Sequence, residues 1–326
     1  MTVHFLHVLG HVLRPAGVPL AWRQLTARRL RFAAAVAGIS FASLMMLMQL
    51  GFRDALYDSV VLFHRSLKGE LVLISRQYDS LADSRSFPRR RLEQARGVAG
   101  VADARAVYLA IAPWKNPETR HDRTIFVFAC DAAEAPFEVK SGAGVRDVLQ
   151  RPDQVLFDDA SRREFGPVPR EIRAGRGVAT ELNGLRFQVA GLYTMGTSFA
   201  ADGNLLMGEP AFHRAFPNRS PAKVSMGVIQ LASGADVEAV RAELVRSLPA
   251  DVDVLTRREM MKREKDYWAE RTPIGFVIGS GGSLLNPSWN PSSNCAAWIM
   301  PSARARCGGR CCTVCPRRST PARSSC

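Results

Sequence analysis

The chain has 326 residues, of which 47% are hydrophobic, and a formal net charge of +14 at pH 7. This length and apolar fraction fit one large or two ordinary folded domains. Five of the positive charges lie in residues 1–31 and six in residues 280–326, both without acids, which leaves +3 for residues 32–279. Since a nucleic-acid-binding protein concentrates Lys and Arg on a folded face, this distribution argues against a nucleic-acid partner.

Residues 1–31 are predicted to form a cytoplasmic amphipathic lead. The segment PLAWRQLTARRLR directs Leu and Trp toward lipid and Arg toward the headgroups. His4, His7 and His11 would lie along one helical face. A metal site would need a fourth ligand, which is not evident, so we favour an interfacial helix with incidental histidines.

A transmembrane helix is predicted over residues 32–52, FAAAVAGISFASLMMLMQLGF, which carry no charge. A helix of this length is about 31 Å long and matches the bilayer core. A buried core helix is the alternative, but such helices rarely lack a charged face. Arg28, Arg29 and Arg31 place the N-terminus in the cytoplasm. No small-residue cleavage site follows, which indicates an anchor rather than a signal peptide.

Beyond the anchor, a large domain is predicted over residues 53–271, entered and left by two helical stalks. The first stalk, residues 53–68, carries an apolar stripe at helical spacing formed by Leu56, Val60, Phe63 and Leu67. The second stalk, residues 256–271, is expected to be a helix that carries Met260, Met261, Glu264, Tyr267 and Trp268 and packs on the first stalk through its Met and aromatic side chains. The aromatic pair would lie at the membrane surface.

Between the stalks, the patterns predict an α+β fold. Residues 71–112 and 224–255 indicate two similar β-α-β units, expected to form one split sheet with helices on one face. A β-rich subdomain is predicted as an insertion over about residues 150–222. It would contain a helix starting near Asp158, a hairpin turning at Asn183-Gly184, and a short helix ended by Pro217.

No catalytic, cofactor or metal site is predicted, and the chain is therefore not expected to be an enzyme. Asp158 and Asp159 with Glu164 resemble paired carboxylates, but adjacent acids at a helix start more often favour the helix dipole. Asp202-Gly203-Asn204 is a turn signature. Residues 279–283, GSGGS, lack the Lys of a phosphate-binding loop and indicate a linker.

Cysteine usage divides the chain. Cys130 is alone in the first 294 residues, so the large domain is not expected to hold an internal disulfide. Four cysteines near the end could supply thiolates for zinc: Cys307, Cys311, Cys312 and Cys315. The Pro, Ser and Arg residues around them show no apolar period that would fold around a metal, so we do not favour a zinc site.

The order of several long stretches resembles the DevC-type permease subunits of MacB-like ABC exporters, in the FtsX/MacB permease superfamily. The resemblance covers about residues 19–279 and rests on MQLGFRDALYDSVVLFHRSL, LVLIS, SFPRRRLEQA, WKNPET, LFDDASRREFGP, SFAADGNLL, FPNR and YWAERTPIGF. It implies a homodimeric permease of the bacterial inner membrane with four membrane helices. It also implies three protein partners, namely a cytoplasmic ABC ATPase, a periplasmic membrane-fusion adaptor and an outer-membrane channel. Related subunits are linked to glycolipid export.

The resemblance ends after TPIGFVIG, residues 272–279, which read as the start of a second membrane helix. Residues 280–326 contain no acid and no Lys, but six Arg, six Cys and five Pro, without a helical or strand period. We predict a disordered, out-of-frame tail and, as a consequence, no transport by this chain alone. A divergent but genuine tail is the alternative.

Two other functions remain open on the sequence. A single-span anchored periplasmic scaffold or binding module would need no further membrane helix. An anchored periplasmic hydrolase is disfavoured, because no nucleophile and base pair is recognisable.

Overall fold

The computed structural model describes residues 28–272 apart from residues 134, 142 and 143. Residues 1–27 of the predicted amphipathic lead, which include its histidines, lie outside this part of the chain, as do residues 273–326 of the predicted second membrane helix and cysteine-rich tail. The described residues belong to one compact unit.

The first described element is the helix α1 (Arg29–Val60), 32 residues long. Among the described residues, α1 is the one helix that is both long enough and apolar enough to cross a membrane. Ile39, Phe41 and Leu47 are 65–69% exposed, and no residue in the most apolar stretch of α1 is buried in the fold. The alternative of a buried core helix therefore does not agree with the structure.

The helix is interrupted at Val61, where φ is −101° and ψ is 4°, and α2 (Leu62–Ser66) follows. The apolar stripe predicted for the first stalk nevertheless continues across this break. Leu56 and Val60 on α1 and Phe63 and Leu67 beyond it are all at most 4% exposed. The predicted burial of this stripe is confirmed.

The remaining elements alternate between strands and short helices. The strands are β1 (Leu71–Ser75), β2 (Phe87–Pro88), β3 (Val101–Lys115), β4 (Asp122–Cys130), β5 (Lys140–Ser141), β6 (Gln154–Asp158), β7 (Val178–Leu182), β8 (Leu185–Thr194), β9 (Asn204–Gly208), β10 (Lys223–Val224), β11 (Met226–Leu231) and β12 (Val252–Thr256). The helices are α3 (Arg90–Arg96), α4 (Val145–Gln150), α5 (Val168–Arg173), α6 (Glu209–Ala215), α7 (Val237–Ser247) and α8 (Arg257–Glu270), with a 3-10 turn at Arg163–Phe165.

Ten strands form one mixed sheet in the order β12-β1-β11-β3-β4-β9-β6-β8-β5, with β7 pairing to β3 and β8. The segments predicted as β-α-β units appear as β1-α3-β3 and β11-α7-β12. They interleave, because β1 lies antiparallel between β11 and β12 while β11 lies antiparallel between β1 and β3. Each unit therefore encloses a strand of the other, which is the split β-α-β arrangement.

The segment predicted as an insertion supplies β6–β9 to the same sheet, through parallel pairing of β9 with β4. Its hairpin is confirmed: Asn183 and Gly184 join β7 to β8 with φ of 51° and 78°, the positive values of a type I′ turn. The predicted helix start near Asp158 is wrong. Asp158 instead ends strand β6 and is buried. Its carboxylate accepts hydrogen bonds from the backbone N–H groups of Met195 and Gly196 in a loop.

The helices of the two β-α-β units, α3 and α7, lie on the same face of the sheet, as predicted, while other helices cover the second face. On one face, α3, α6 and α7 contribute Leu92, Phe212 and Leu244 to a core with Leu71 and Leu73. On the other, α2, α4 and α8 contribute Phe63, Leu149 and Met260 to a core with Val72 and Ile74. The alternation along β1 follows from the two-residue period of a strand.

Gly208, where β9 passes into α6, permits a close backbone approach between two layers. A Cβ atom at this position would lie 1.6 Å from the carbonyl oxygen of Leu149 at the end of α4. Only a residue without a side chain lets α4 pack this closely on β9.

Candidate coupling site at the base of the sheet

The apolar helix meets the sheet at a site formed by the end of α1, by α8, and by residues 195–203, which connect β8 to β9 and are called the stalk loop below. Leu56, Val60 and Val61 form a separate buried cluster here. Tyr57 from α1, together with Met261 and Trp268 from α8, packs against this cluster. The expected packing of the two stalks is thus present.

The start of α8 is fixed by a capping box. The Thr256 hydroxyl accepts a hydrogen bond from the Glu259 N–H at 3.2 Å, and the Glu259 carboxylate accepts one from the Thr256 N–H at 2.8 Å. Because Thr256 is also the last residue of the edge strand β12, this cap determines where α8 leaves the sheet. The helix then runs through Glu264 and Trp268 toward residue 272.

Glu264 is the polar centre of the site and is 1% exposed. Its carboxylate accepts hydrogen bonds from the Tyr78 hydroxyl at 3.1 Å, from the Leu81 N–H at 3.1 Å and from the Trp268 indole N–H at 3.2 Å. The Nε2 atom of His64, which is fully buried on α2, lies 4.0 Å from the same carboxylate. One acidic side chain therefore links α8 to the loop after β1, with α2 beside it.

Burial dominates the electrostatics of this cluster. It raises the pKa of Glu264 to about 7, although the hydrogen bonds from Leu81, Trp268 and Tyr78 act in the opposite direction. Burial also lowers the pKa of His64 to about 4, although the backbone carbonyl of Val60 acts to raise it. Neither ring nitrogen of His64 has a hydrogen-bond partner of acceptable geometry. Both groups are therefore neutral over much of the range between these two pKa values, as expected where charge is costly.

Asp158 holds the stalk loop. Its carboxylate accepts hydrogen bonds from the N–H groups of Met195 at 3.2 Å and Gly196 at 3.0 Å, and from the Asn204 side chain at 2.8 Å. The same Asn204 amide donates to the Gly196 carbonyl at 2.9 Å. A fourth donor to Asp158 is the N–H of Ala160 in the turn after β6. The two ends of the loop are thus tied to a single buried carboxylate.

The tip of the loop reaches both helices. The N–H of Phe199 donates to the Ser59 hydroxyl of α1 at 3.2 Å. Its ring lies edge-on to Phe52 and to Trp268, with centroid distances of 6.4 Å and 5.8 Å. Phe199 is nevertheless 43% exposed. The stalk loop therefore connects the sheet to α1 and α8 at the end where α1 enters the fold.

The acidic residues singled out in the sequence do not form a catalytic pair. Asp158 points into the loop, whereas Asp159 forms an ion pair with Arg173 at the surface. Glu164 is exposed on the 3-10 turn, and Asp202 pairs with Arg162 at 2.8 Å. The predicted turn residues Asp202-Gly203-Asn204 thus belong to the stalk loop and the start of β9.

No group of three or more His, Cys, Asp or Glu side chains within the described part of the chain is placed to hold a metal ion. Cys130 on β4 is a free, buried cysteine. Burial raises the pKa of its thiol to about 12, with the neighbouring Asp131 carboxylate adding to the effect. Such a thiol is unreactive at neutral pH.

Fold and site together define a mixed α/β domain that is entered by one helix long and apolar enough to cross a membrane. Residues 32–247 match the profile of the MacB-like periplasmic core domain. This match covers more than half of the chain, and the chain belongs to this family, a domain of ABC-type permeases. Permease domains of the family work with an ABC ATPase and an adaptor, and the family is generally non-catalytic.

Three solved domains of low sequence identity are similar to part of the chain. The extracellular domain of the noncanonic ABC-type transporter YknZ from Gram-positive bacteria is 15% identical, with a TM-score of 0.41, and the match covers 58% of this chain and 99% of that domain. The periplasmic region of MacB from Actinobacillus actinomycetemcomitans is 9% identical, with a TM-score of 0.43 and coverages of 60% and 92%. A domain of a putative permease from Porphyromonas gingivalis is 14% identical, with a TM-score of 0.38 and coverages of 60% and 97%. No curated protein sequence matches the chain.

Proposed function

We propose that this chain is the permease subunit of a DevC-type ABC exporter of the inner membrane, with its N-terminus in the cytoplasm and residues 53–271 in the periplasm. Three observations support the proposal. The chain belongs to the MacB-like periplasmic core domain family. Residues 32–52 are uncharged and lie on the exposed helix α1. The arginines at 28, 29 and 31 precede this run, as the positive-inside rule requires of a cytoplasmic flank.

The observation that carries the proposal is the packing of α1 directly onto α8. Leu56 and Val60 are buried in the cluster that Trp268 covers, and α8 begins at the last residue of the edge strand β12. Packed interiors resist compression and transmit displacement. A movement of the membrane helix therefore moves the sheet, as a permease domain driven by a partner ATPase requires.

Reporter fusions test the topology. Alkaline phosphatase fused after Arg271 is expected to be active, because it folds in the periplasm, while green fluorescent protein fused at the same point is expected to be dark. The control replaces Arg28, Arg29 and Arg31 by Glu, which removes the cytoplasmic retention signal and is expected to lower the phosphatase activity. A fluorescent, phosphatase-negative pair of fusions would refute a periplasmic domain.

The proposed partners are a cytoplasmic ABC ATPase, a periplasmic membrane-fusion adaptor, an outer-membrane channel and a second copy of the permease. Lipophilic compounds such as glycolipids are the proposed cargo, on the resemblance to DevC-type subunits. Affinity purification of the full chain in mild detergent, with the products of the neighbouring genes co-expressed, is expected to recover the adaptor. Recovery of no adaptor, together with neighbouring genes that encode no ATPase with a Walker motif, would argue against an exporter.

The second candidate is a single-span scaffold or binding module, favoured by the presence of one candidate span within the described residues. This candidate predicts that the chain binds its partner without any ATPase nearby. The gene neighbourhood separates the two functions before any purification is done.

We further propose that the codons after about residue 279 are read in a shifted frame, because residues 280–326 combine six Arg and six Cys with no acid or Lys. Resequencing the gene across residues 277–282 tests this. A frameshift-restored version is expected to encode further apolar runs. An intact frame whose tail recurs in related proteins would refute the frameshift without touching the proposed function of residues 32–271.

A further inference from the structure

The level of the membrane surface along α1 is fixed by its sequence. The uncharged run ends at Phe52, and the next residue, Arg53, is charged and pairs with Asp54. Met48, Leu50 and Phe52 are 41–69% exposed, so this end of the run has an unburied apolar surface. If residues 32–52 cross the bilayer, as in the proposed function, Phe52 lies at the outer boundary of the hydrocarbon core.

The stalk loop is in contact with this boundary. The ring of Phe199 lies 6.4 Å from that of Phe52, and its backbone N–H is bound to Ser59, seven residues further along the helix. Seven residues of helix span about 10 Å, so the loop covers the first turns of α1 above the boundary. A part of the β-domain that is distant from α1 in the sequence is thus placed at the membrane surface.

The chemistry of the loop suits an interface. Residues 195–201, Met-Gly-Thr-Ser-Phe-Ala-Ala, carry no charge, and the first charged residue, Asp202, is already paired with Arg162. Phe199 is 43% exposed although it is the largest apolar side chain of the loop. Trp268 contacts it, and Tyr267 contacts Trp268 at a centroid distance of 6.0 Å. Trp and Tyr side chains are enriched where membrane proteins meet headgroups, and Phe199 lies beside such a pair.

The loop is also held in shape before any lipid arrives. Asp158 binds the N–H groups at its start and the Asn204 side chain at its end. Ser198 and Ala201 pair with each other through two backbone hydrogen bonds that close a tight turn around Phe199. The ring is therefore presented by a preorganised turn, which reduces the entropy lost on binding.

We propose that the stalk loop is a second membrane contact of the domain, with Phe199 inserted among the lipid headgroups beside α1. This proposal rests on the proposed transmembrane role of α1. Lipid is the occupant we assign, because the exposed ring contacts Phe52. Phe52 is the last residue of the uncharged run, at an end of the run where α1 also exposes Met48 and Leu50. The domain would then be held at a fixed height by the helix and the loop together, and it could not rotate freely about α1.

Fluorine NMR of the full chain in lipid nanodiscs of phosphatidylcholine and phosphatidylglycerol tests the contact. 4-Fluorophenylalanine is introduced at one position per sample: Phe199, Phe41 within the span, or Ser233 in the exposed turn after β11. Ser233 is a control from the opposite end of the sheet. Ser233 follows Leu231, which pairs with Val101 of β3. The stalk loop ends beside Phe126, which pairs with Ile111 of the same strand. Val101 and Ile111 are ten residues apart on β3, and ten residues of strand span about 33 Å.

A spin-labelled lipid and a water-soluble gadolinium chelate are then added in parallel. The lipid label is expected to broaden the signals at positions 199 and 41 at least threefold more than the signal at 233, and the chelate is expected to broaden 233 most. If the chelate alone broadens the signal at position 199 while the spin-labelled lipid still broadens the signal at position 41, the loop contact is overturned and the membrane span is retained. Protection of 199 from both reagents would show that protein, such as a second copy, covers it, and would also overturn the proposal. No lipid broadening at 41 would remove the span and with it the proposed function.

Discussion

The Nε2 atom of His64 lies 4.0 Å from the Oε2 atom of Glu264, and both side chains are at most 1% exposed. A base on α2 and an acid on α8 thus share one buried space without a hydrogen bond between them. Burial shifts their pKa values in opposite directions, to about 4 for His64 and to about 7 for Glu264. The two shifts give opposite pH dependences of stability.

The first prediction follows from the signs of these shifts. Glu264 binds its proton more tightly in the folded state, so its contribution to the free energy of unfolding is lost as the pH rises from about 4.5 through 7. His64 binds its proton less tightly in the folded state, so its contribution is lost as the pH falls from about 6.5 through 4. Between pH 4.5 and 6.5 the two contributions oppose each other, and the stability of the native chain is expected to vary little from this pair.

Single substitutions should reveal the two slopes. Glu264→Gln removes the contribution of Glu264, which falls as the pH rises, so the free energy of unfolding is expected to rise with pH between 4 and 6.5. His64→Leu removes the contribution of His64, which rises with pH, so the free energy of unfolding is expected to fall between pH 4.5 and 7. Each slope is at most about 1.4 kcal/mol per pH unit. Urea unfolding in detergent, measured at several pH values, checks this, and equal slopes in both variants would contradict it.

The second prediction concerns the carboxylate that holds the stalk loop. Asp158→Asn replaces one acceptor oxygen by an NH2 group, which cannot accept from Met195, Gly196 or Asn204. Each carboxylate oxygen accepts from two donors, so two donors lose their acceptor whichever oxygen is replaced. We expect a loss of about 2–3 kcal/mol of stability with faster amide exchange in residues 195–204. The control is Asp159→Asn, which breaks a surface ion pair with Arg173 and is expected to cost less than about 1 kcal/mol. Equal effects of the two substitutions would refute the role of Asp158.

The third prediction uses the close approach at Gly208. Gly208→Ala puts a methyl group 1.6 Å from the backbone oxygen of Leu149, and a backbone oxygen cannot rotate away as a flexible side chain can. We expect a loss of about 3 kcal/mol or more. Gly97→Ala is the matched control: Gly97 has φ of −75°, and its added Cβ atom would meet the nearest oxygen at 3.4 Å. Its effect is expected to stay within about 0.5 kcal/mol, measured by thermal or urea unfolding.

The fourth prediction is that the thiol of Cys130 is protected in the folded chain. The side chain is inaccessible and the pKa of the thiol is raised to about 12, so the reactive thiolate is scarce at neutral pH. Iodoacetamide followed by peptide mapping should leave Cys130 unmodified in native conditions and label it in urea. Rapid labelling at pH 7.5 without denaturant would show that β4 opens locally.

Features encoded by local sequence were predictable. The turn at Asn183-Gly184 needs positive φ at both residues, which this dipeptide supplies at low cost. The apolar stripe from Leu56 to Leu67 has the helical period, which predicts its burial even though the helix is interrupted at Val61. The Met-aromatic stripe likewise located α8 and the buried Met260. In each case the signal lies within a few residues of the structure that it determines.

Features determined by distant contacts were not predictable. Asp158 has the sequence context of a helix start, and its role depends on Met195, Gly196 and Asn204, which are 37 to 46 residues away. The pairing of Glu264 with Tyr78 spans 186 residues. The sequence SFAADGNLL contributed to the family resemblance but gave no sign that Phe199 would meet Phe52. Helices on both faces also follow from long-range packing, which periodicity does not reveal.

The interleaved order of the strands has a consequence for biosynthesis. β1 is made early, yet both of its neighbours, β11 and β12, are synthesised more than 150 residues later. During translocation the nascent polypeptide therefore exposes an unpaired, wholly apolar strand, LVLI, until almost the whole domain has crossed. Periplasmic chaperones that recognise extended apolar peptides should bind this segment, and a ribosome stalled before residue 226 should leave it open to proteases.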